Sequence, residues 1–327
     1  MTKNSAQPLL EIEHLVKHFG LKSPGIFGRS RGTVHALNDV SFAIQKGETL
    51  AIVGESGCGK STLARVITGL HQPDFGQITY AGKNLRQNIQ MIFQDPFASL
   101  NPRLTIGDII AEPLIIHKLG TPAERQKRIE EVLESVSLQK SDAQKYPHQF
   151  SGGQRQRIAI ARALISEPEL IIADEPLSAL DVSIQSQILN LLMKIKAARE
   201  LTYLFISHDL ASVAHIADRV IVMYLGQIVE SGDCESIFNN PIHPYTQALI
   251  LAAPAIGIGK RQKSTLIVGE SASPLAPPTG CFYHPRCPKS LDSCGIEAPT
   301  LSPALGENNS HLVACPIALN DRNLTVS

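Results

Sequence analysis

The sequence predicts an α/β fold, and three observations carry that reading. Four short runs rich in apolar and β-branched residues, Thr49 to Val53, Leu170 to Asp174, Leu204 to Ser207 and Arg219 to Leu225, are separated by helical patterns. Such alternation builds a mainly parallel sheet. Three of the runs are nearly continuous in apolar residues, as expected where helices cover both faces of a parallel sheet. The opening segments, Leu9 to Lys17 and Thr33 to Ile44, read instead as an antiparallel β subdomain.

Between Asp95 and Ser166 the pattern turns helical, an insertion into the α/β core. In TPAERQKRIEEVLESV, Thr121 suits an N-cap, Pro122 the first helical position, and Glu124 completes a capping box. Ile129, Val132, Leu133 and Val136 then recur at helical spacing and form one buried face. After Pro254 the chain becomes Pro- and Gly-rich and cysteine-bearing, with little periodicity. The expected organisation is a core over residues 1–255 with a helical subdomain at about 95–166. A small, irregular, Cys-rich C-terminal extension follows over 256–327.

Thirty basic and thirty acidic residues cancel, which argues against a partner bound through a strongly basic surface, so no nucleic acid is expected. The longest apolar stretch, Ala248 to Gly259, is twelve residues interrupted by Pro254, too short to span a bilayer. The opening MTKNSAQPLLEIEH lacks the apolar core of a secretory signal, so the chain is expected to remain in the cytoplasm. Structural disulfides are not expected there, although the chain holds six cysteines.

The run GESGCGKST, comprising Gly54, Glu55, Ser56, Gly57, Cys58, Gly59, Lys60, Ser61 and Thr62, follows a strand pattern and precedes a helical one. This is the context of a phosphate-binding loop. Its glycines let backbone N–H groups curl around phosphates, Lys60 reaches the β and γ phosphates of ATP, and Ser61 offers a hydroxyl to Mg²⁺. Cys58 reads as a tolerated small residue within it. The run LIIADE delivers Asp174 and Glu175 at the C-terminal end of a buried strand, where α/β sheets bind ligands. Asp174 suits Mg²⁺ and Glu175 a general base for the attacking water, against the alternative of two carboxylates that merely begin a loop. His208, after the strand YLFIS, suits a phosphate contact. Gln94, ending IQMIFQ, suits Mg²⁺ or water and a hinge.

In FSGGQRQRIAIARAL, Ser151 can cap a helix whose first turn exposes the N–H groups of Gly152 and Gly153, with Gln154 following. An ordinary capped helix is the alternative. A second anion site in one chain points to a composite arrangement, in which this helix closes over a partner subunit's ATP. The stretch resembles the signature of ABC ATPases. Gln94 resembles their Q-loop, LIIADE the Walker B strand, Ser178 to Asp181 (SALD) the D-loop, and His208 the switch histidine. Phe19 resembles the aromatic that stacks on adenine, with a core aromatic as the alternative. The likeness covers about residues 8–250 and implies a P-loop NTPase core. It also implies a head-to-tail dimer with two ATP molecules between phosphate loops and opposing SGGQ helices.

Three longer stretches resemble the ATPase subunits of oligopeptide and dipeptide importers: Ile89 to Leu114, Asn239 to Pro254, and PLAPPTGCFYHPRC. That resemblance implies ATP hydrolysis coupled to peptide import at the cytoplasmic face of the cell membrane. Its implied partners are two multi-spanning permease subunits, a second related ATPase and, indirectly, an extracytoplasmic peptide-binding protein. Nickel or an antimicrobial peptide is the alternative cargo. Rival readings are an ABC ATPase of DNA repair or translation and a non-hydrolysing scaffold. One cassette without a coiled coil or basic insertion argues against the first, and intact Glu175 and His208 argue against the second.

Cys281, Cys287, Cys294 and Cys315 are spaced C-x5-C-x6-C-x20-C. Four thiolates in a reduced compartment suggest an iron–sulfur cluster or structural Zn²⁺, with metal-free buried thiols the third reading. The spacing lacks the paired CxxC of zinc ribbons. The matching tails of peptide-importer ATPases imply a 4Fe-4S cluster.

Overall fold

The structure, a computed structural model, describes residues 7–22, 30–253, 272–304 and 310–317. The expected boundary near residue 255 lies outside them. In chain order the strands are β1 (Leu10–Lys22), β2 (Ser30–Ile44), β3 (Thr49–Val53), β4 (Phe75–Tyr80), β5 (Ile89–Ile92), β6 (Leu170–Asp174), β7 (Thr202–Ile206), β8 (Arg219–Tyr224), β9 (Gln227–Asp233), β10 (Ser302–Pro303) and β11 (Leu312–Val313). Helices that bear on the site are α1 (Lys60–Ile67), α2 (Ile106–Ile116), α3 (Pro122–Ser135), α4 (Gly152–Leu164), α5 (Val182–Arg199), α6 (Leu210–Ile216) and α7 (Pro244–Ala252). The chain forms two compact units, one built chiefly from residues 80–207 and the other from 10–43, 50–79 and 208 onward.

In the first unit β5, β6 and β7 run parallel with β6 central, Ile92 opposite Ala173 and Asp174 opposite Ile206. Every residue of β6 and β7 is buried, which explains why their sequences are apolar without alternation. Truncating Ile172, fully buried in β6, to Ala would cost about 2–5 kcal/mol.

The inserted helical region is set by its caps. Thr121 accepts from the Glu124 N–H while the Glu124 carboxylate accepts from the Thr121 N–H, and Thr105 and Asp108 do the same for α2. Each such cap is worth about 1 kcal/mol. Ile129, Val132, Leu133 and Val136 are all buried. Arg157 and Arg162 of α4 donate to the Val136 and Ser99 carbonyls at 2.9 and 2.6 Å, tying α4 to the segments before it.

In the second unit β2, β1 and β4 form a three-stranded sheet in that order. Strand β3 pairs in parallel with β8, and β8–β9, β9–β11 and β11–β10 continue antiparallel. The C-terminal segment thus extends this sheet, with Val313 opposite Glu230 and Leu312 opposite Ser231. Glu230 is fully buried, and it accepts from the Ile242 and His243 N–H groups and pairs with His311 at 2.7 Å. Among the described residues no helix is long and apolar enough to cross a membrane.

Candidate nucleotide site

The two units divide the sequence-derived residues. Phe19, the 54–62 loop, His208 and the four tail cysteines belong to the second unit; Gln94, Ser151 to Gln154, Asp174, Glu175 and Asp181 belong to the first.

In the second unit the loop runs from the end of β3 into α1. Gly59 has φ +107°, and a Cβ there would lie 2.3 Å from the Ala36 carbonyl oxygen, so only glycine fits this turn. Gly54 is confined likewise, with the Met223 carbonyl oxygen 2.2 Å from where a Cβ would stand. Lys60 is buried, and its Nζ donates to the Gly54 and Glu55 carbonyls at 2.8 and 2.9 Å. A lysine so enclosed presents its charge to the inside of the loop, the geometry that serves phosphate. Ser61 and Thr62 open α1, whose N-terminal N–H groups add positive potential.

Position 55 is held from outside the loop. Its N–H donates to Tyr245 Oη at 2.8 Å, and both carboxylate oxygens accept from the Arg286 guanidinium at 3.0 Å. Cys58 is buried, and burial pushes its thiol pKa up, against the lowering influence of Lys60. Phe19 is half-buried, edge-on to the His71 ring at 5.3 Å, with Lys17 Nζ 5.3 Å from its centroid. His208 is exposed, just before Asp209, which caps α6 by accepting from the Ala211 and Ser212 N–H groups.

In the first unit β6 ends at Asp174, a carboxylate only 2 % exposed. Glu175 follows in the left-handed region at φ +47°, its N–H donating to the Ile206 carbonyl at 2.9 Å. Gln94, just beyond β5, donates from Nε2 to Glu175 Oε2 at 2.9 Å. The Ser178 hydroxyl donates to the Glu175 carbonyl at 3.0 Å, and Gln185 Nε2 donates to the Leu177 and Leu180 carbonyls, which fixes the turn leading to Asp181. Asp181 is exposed ahead of α5.

Ser151 caps α4 as expected: its Oγ accepts from the Gln154 N–H at 3.4 Å, and Gln154 Oε1 accepts from the Ser151 N–H at 3.0 Å. Gly153 leaves no room for a side chain, since a Cβ would lie 2.6 Å from Ile184 Cγ2. Asp174 and Ser61 are oxygen donors of the kind Mg²⁺ takes.

In the tail, Cys281, Cys287, Cys294 and Cys315 are not in disulfides. The Cys281 N–H donates to the Cys294 carbonyl at 2.7 Å. Burial, opposed by the Tyr283 N–H and reinforced by Cys315, Cys294 and Cys287 nearby, pushes the Cys281 thiol up to about 11. The four are therefore neighbours. Among the described residues, however, no three His, Cys, Asp or Glu side chains form a group that could hold a metal ion.

A phosphate loop on one strand, an acidic pair ending another and a serine-capped Gly-Gly helix define an ATPase of the ABC class, which works on ATP with Mg²⁺. Residues 37–178 match the ABC transporter family, and residues 229–294 match the oligopeptide/dipeptide transporter C-terminal region. The chain is 50 % identical to the oligopeptide transport ATP-binding protein AppF of Bacillus subtilis, over 96 % of this chain and 99 % of that protein. It is 46 % identical to the dipeptide transport ATP-binding protein DppF of Escherichia coli, over 97 % and 96 % of the two chains. A dimeric ATP-binding cassette solved in a post-hydrolysis state with ADP and Pi superposes with a TM-score of 0.59 at 30 % identity, over 69 % of this chain and 98 % of that one. The chain belongs to the ABC transporter ATP-binding proteins of which AppF and DppF are members.

Proposed function

We propose that this chain hydrolyses ATP to drive peptide import, as one of two ATPase subunits that dock on separate membrane-spanning permeases. The observation that carries the reading is the near end-to-end likeness to peptide transport ATP-binding proteins, which includes the C-terminal region as well as the ATPase core. The chain would lie at the cytoplasmic face of the membrane, receiving no peptide itself but working with an extracytoplasmic peptide-binding protein through the permeases.

Within the site, the backbone of the 54–62 loop and Lys60 hold the phosphates, and Phe19 stacks on adenine. Ser61, Asp174 and Gln94 hold Mg²⁺, which when bound neutralises phosphate charge. Glu175 accepts the proton of the attacking water, and His208 contacts the γ-phosphate. The partner's ATP is closed over by Ser151 to Gln154 and Asp181, so each site takes residues from two subunits. The dimeric state of the related cassette solved with ADP and Pi supports this arrangement.

For the tail we propose a 4Fe-4S cluster on Cys281, Cys287, Cys294 and Cys315, with Zn²⁺ the alternative. Four neighbouring thiols outside any disulfide support it, although among the described residues their arrangement is not that of a metal-ligand set. Anaerobic purification with iron, sulfide and zinc analysis distinguishes the two metals, and a metal-free product with an intact fold overturns both.

The decisive experiment on function is purification of the chain from membranes with what accompanies it. Co-purification of two multi-spanning subunits and a second ATPase is expected, followed by ATP-dependent uptake of di- or oligopeptides in vesicles. An assembly that hydrolyses ATP but moves no peptide would overturn the cargo.

A further inference from the structure

We propose that Arg286 is a positioning residue for the phosphate loop, so that the C-terminal tail sets how well this chain binds ATP. The inference rests on the reading of 54–62 as the nucleotide site and goes beyond it, because Arg286 lies 231 positions from the loop residue it grips.

Glu55 stands at the start of the loop, two residues after the end of β3. Its carbonyl accepts from Lys60 Nζ at 2.9 Å and from the Cys58 N–H at 3.3 Å, so the position of residue 55 fixes where the lysine and the inner turn sit. The glycines on either side, at positive φ, give backbone freedom that must be removed before phosphate can be cradled. Residues distant in sequence supply that constraint. The Tyr245 hydroxyl takes the Glu55 N–H, and Arg286 takes both carboxylate oxygens in a parallel fork.

The fork is a strong form of ion pair, and its setting removes most of the usual discount. The Arg286 side chain is 7 % exposed and that of Glu55 22 %, far from the fully solvated pairs that contribute little. Arg286 is itself held. Nη1 also donates to Tyr224 Oη at 3.3 Å, and the guanidinium lies 5.7 and 5.8 Å from the Tyr224 and Tyr283 ring centroids. Its backbone belongs to a 3-10 turn, His284–Arg286, whose N–H bonds run back to Cys281 and Tyr283. A rigid clamp on a glycine-rich loop preorganises it, and the effect falls on nucleotide binding more than on the chemical step.

The test is MgATP affinity of the full-length chain by calorimetry, with ATPase kinetics of the assembled transporter. Arg286→Ala and Glu55→Gln should each weaken MgATP binding about tenfold, with KM raised and kcat within about twofold. The double variant should bind no worse than either single one, the mark of two residues acting as a unit. Arg286→Lys, which keeps the charge but not the fork, should recover part of the loss. Unchanged affinity in a cooperatively melting Arg286→Ala variant, or strict additivity in the double variant, overturns the proposal. If Arg286→Ala does not fold, Glu55→Gln, which leaves the tail intact, decides on the same criterion of affinity. Lys60→Ala tests the underlying reading separately: near-normal ATP binding there would mean the loop is not the nucleotide site.

Discussion

The Gln94 amide donates to the Glu175 carboxylate at 2.9 Å, joining the end of one parallel strand to the residue that follows its neighbour. Glu175 is held at both ends, its backbone pinned by the Ile206 carbonyl and its side chain by Gln94. A carboxylate so oriented can accept a proton; an isosteric amide cannot. Glu175→Gln is therefore expected to retain MgATP affinity within a few-fold and lose about 10²–10⁴ in turnover. Single-turnover hydrolysis at saturating ATP measures it, and near-normal turnover would falsify the role of base.

Ser151 offers a second, separable test of the same reaction. Its reciprocal cap with Gln154 contributes about 1 kcal/mol to α4, a modest term for a chain of this size. If the helix also closes over the partner's nucleotide, Ser151→Arg must act on that nucleotide and not on its own. Binding of MgATP to the isolated variant should be unchanged, while hydrolysis by the assembled dimer falls at least tenfold. Weakened binding in the isolated chain would show that the helix serves its own loop instead.

Much of this was legible from local pattern because the forces involved are local. Thr49 to Val53 and Leu170 to Asp174 are uninterrupted buried strands, and their sequences show it. Thr121 and Ser151 cap helices through residues three positions on. What stayed hidden depends on partners far away in the chain. Strand β9 carries Glu230 and Ser231 in its buried part, polar residues that disguise a core strand because the backbone N–H groups satisfying Glu230 come from residues 242 and 243. Strands β10 and β11 are two residues long and exist only through pairing, so the tail reads as irregular. Arg286 carries no signal beyond its place beside Cys287, and its carboxylate partner lies in a motif already explained by phosphate binding.

Cys58 gives a test of loop enclosure that is independent of turnover. The thiol is 4 % exposed, and burial raises its pKa despite Lys60 nearby, so little thiolate is present near neutral pH. Because thiolate is the reacting species, iodoacetamide should modify Cys58 in the native chain at least about a hundredfold more slowly than in urea. Peptide mapping by mass spectrometry reads the site. Rapid native modification would mean that the loop opens readily.

The stability of the fold should fall on mild acidification, and one histidine accounts for the direction. His243 is buried and caps α7 by accepting the Tyr245 N–H at Nδ1, at 3.0 Å, so that nitrogen must be unprotonated. Burial, only partly opposed by the nearby Glu230 carboxylate, lowers its pKa to about 4 from 6.5. Above the unfolded value both states are neutral and the stabilisation is complete. As pH falls below about 6.5 the unfolded chain takes up the proton first, and stability is lost progressively until the folded pKa near 4 is reached. The full span corresponds to about 3 kcal/mol, of which roughly 2 kcal/mol is gone by pH 5. Urea midpoints at pH 7 and pH 5 measure the drop. His243→Asn can keep the cap through its side-chain oxygen but cannot titrate, so its stability should depend less on pH over the same interval. An undiminished slope in that variant would overturn the assignment of the acid sensitivity to His243.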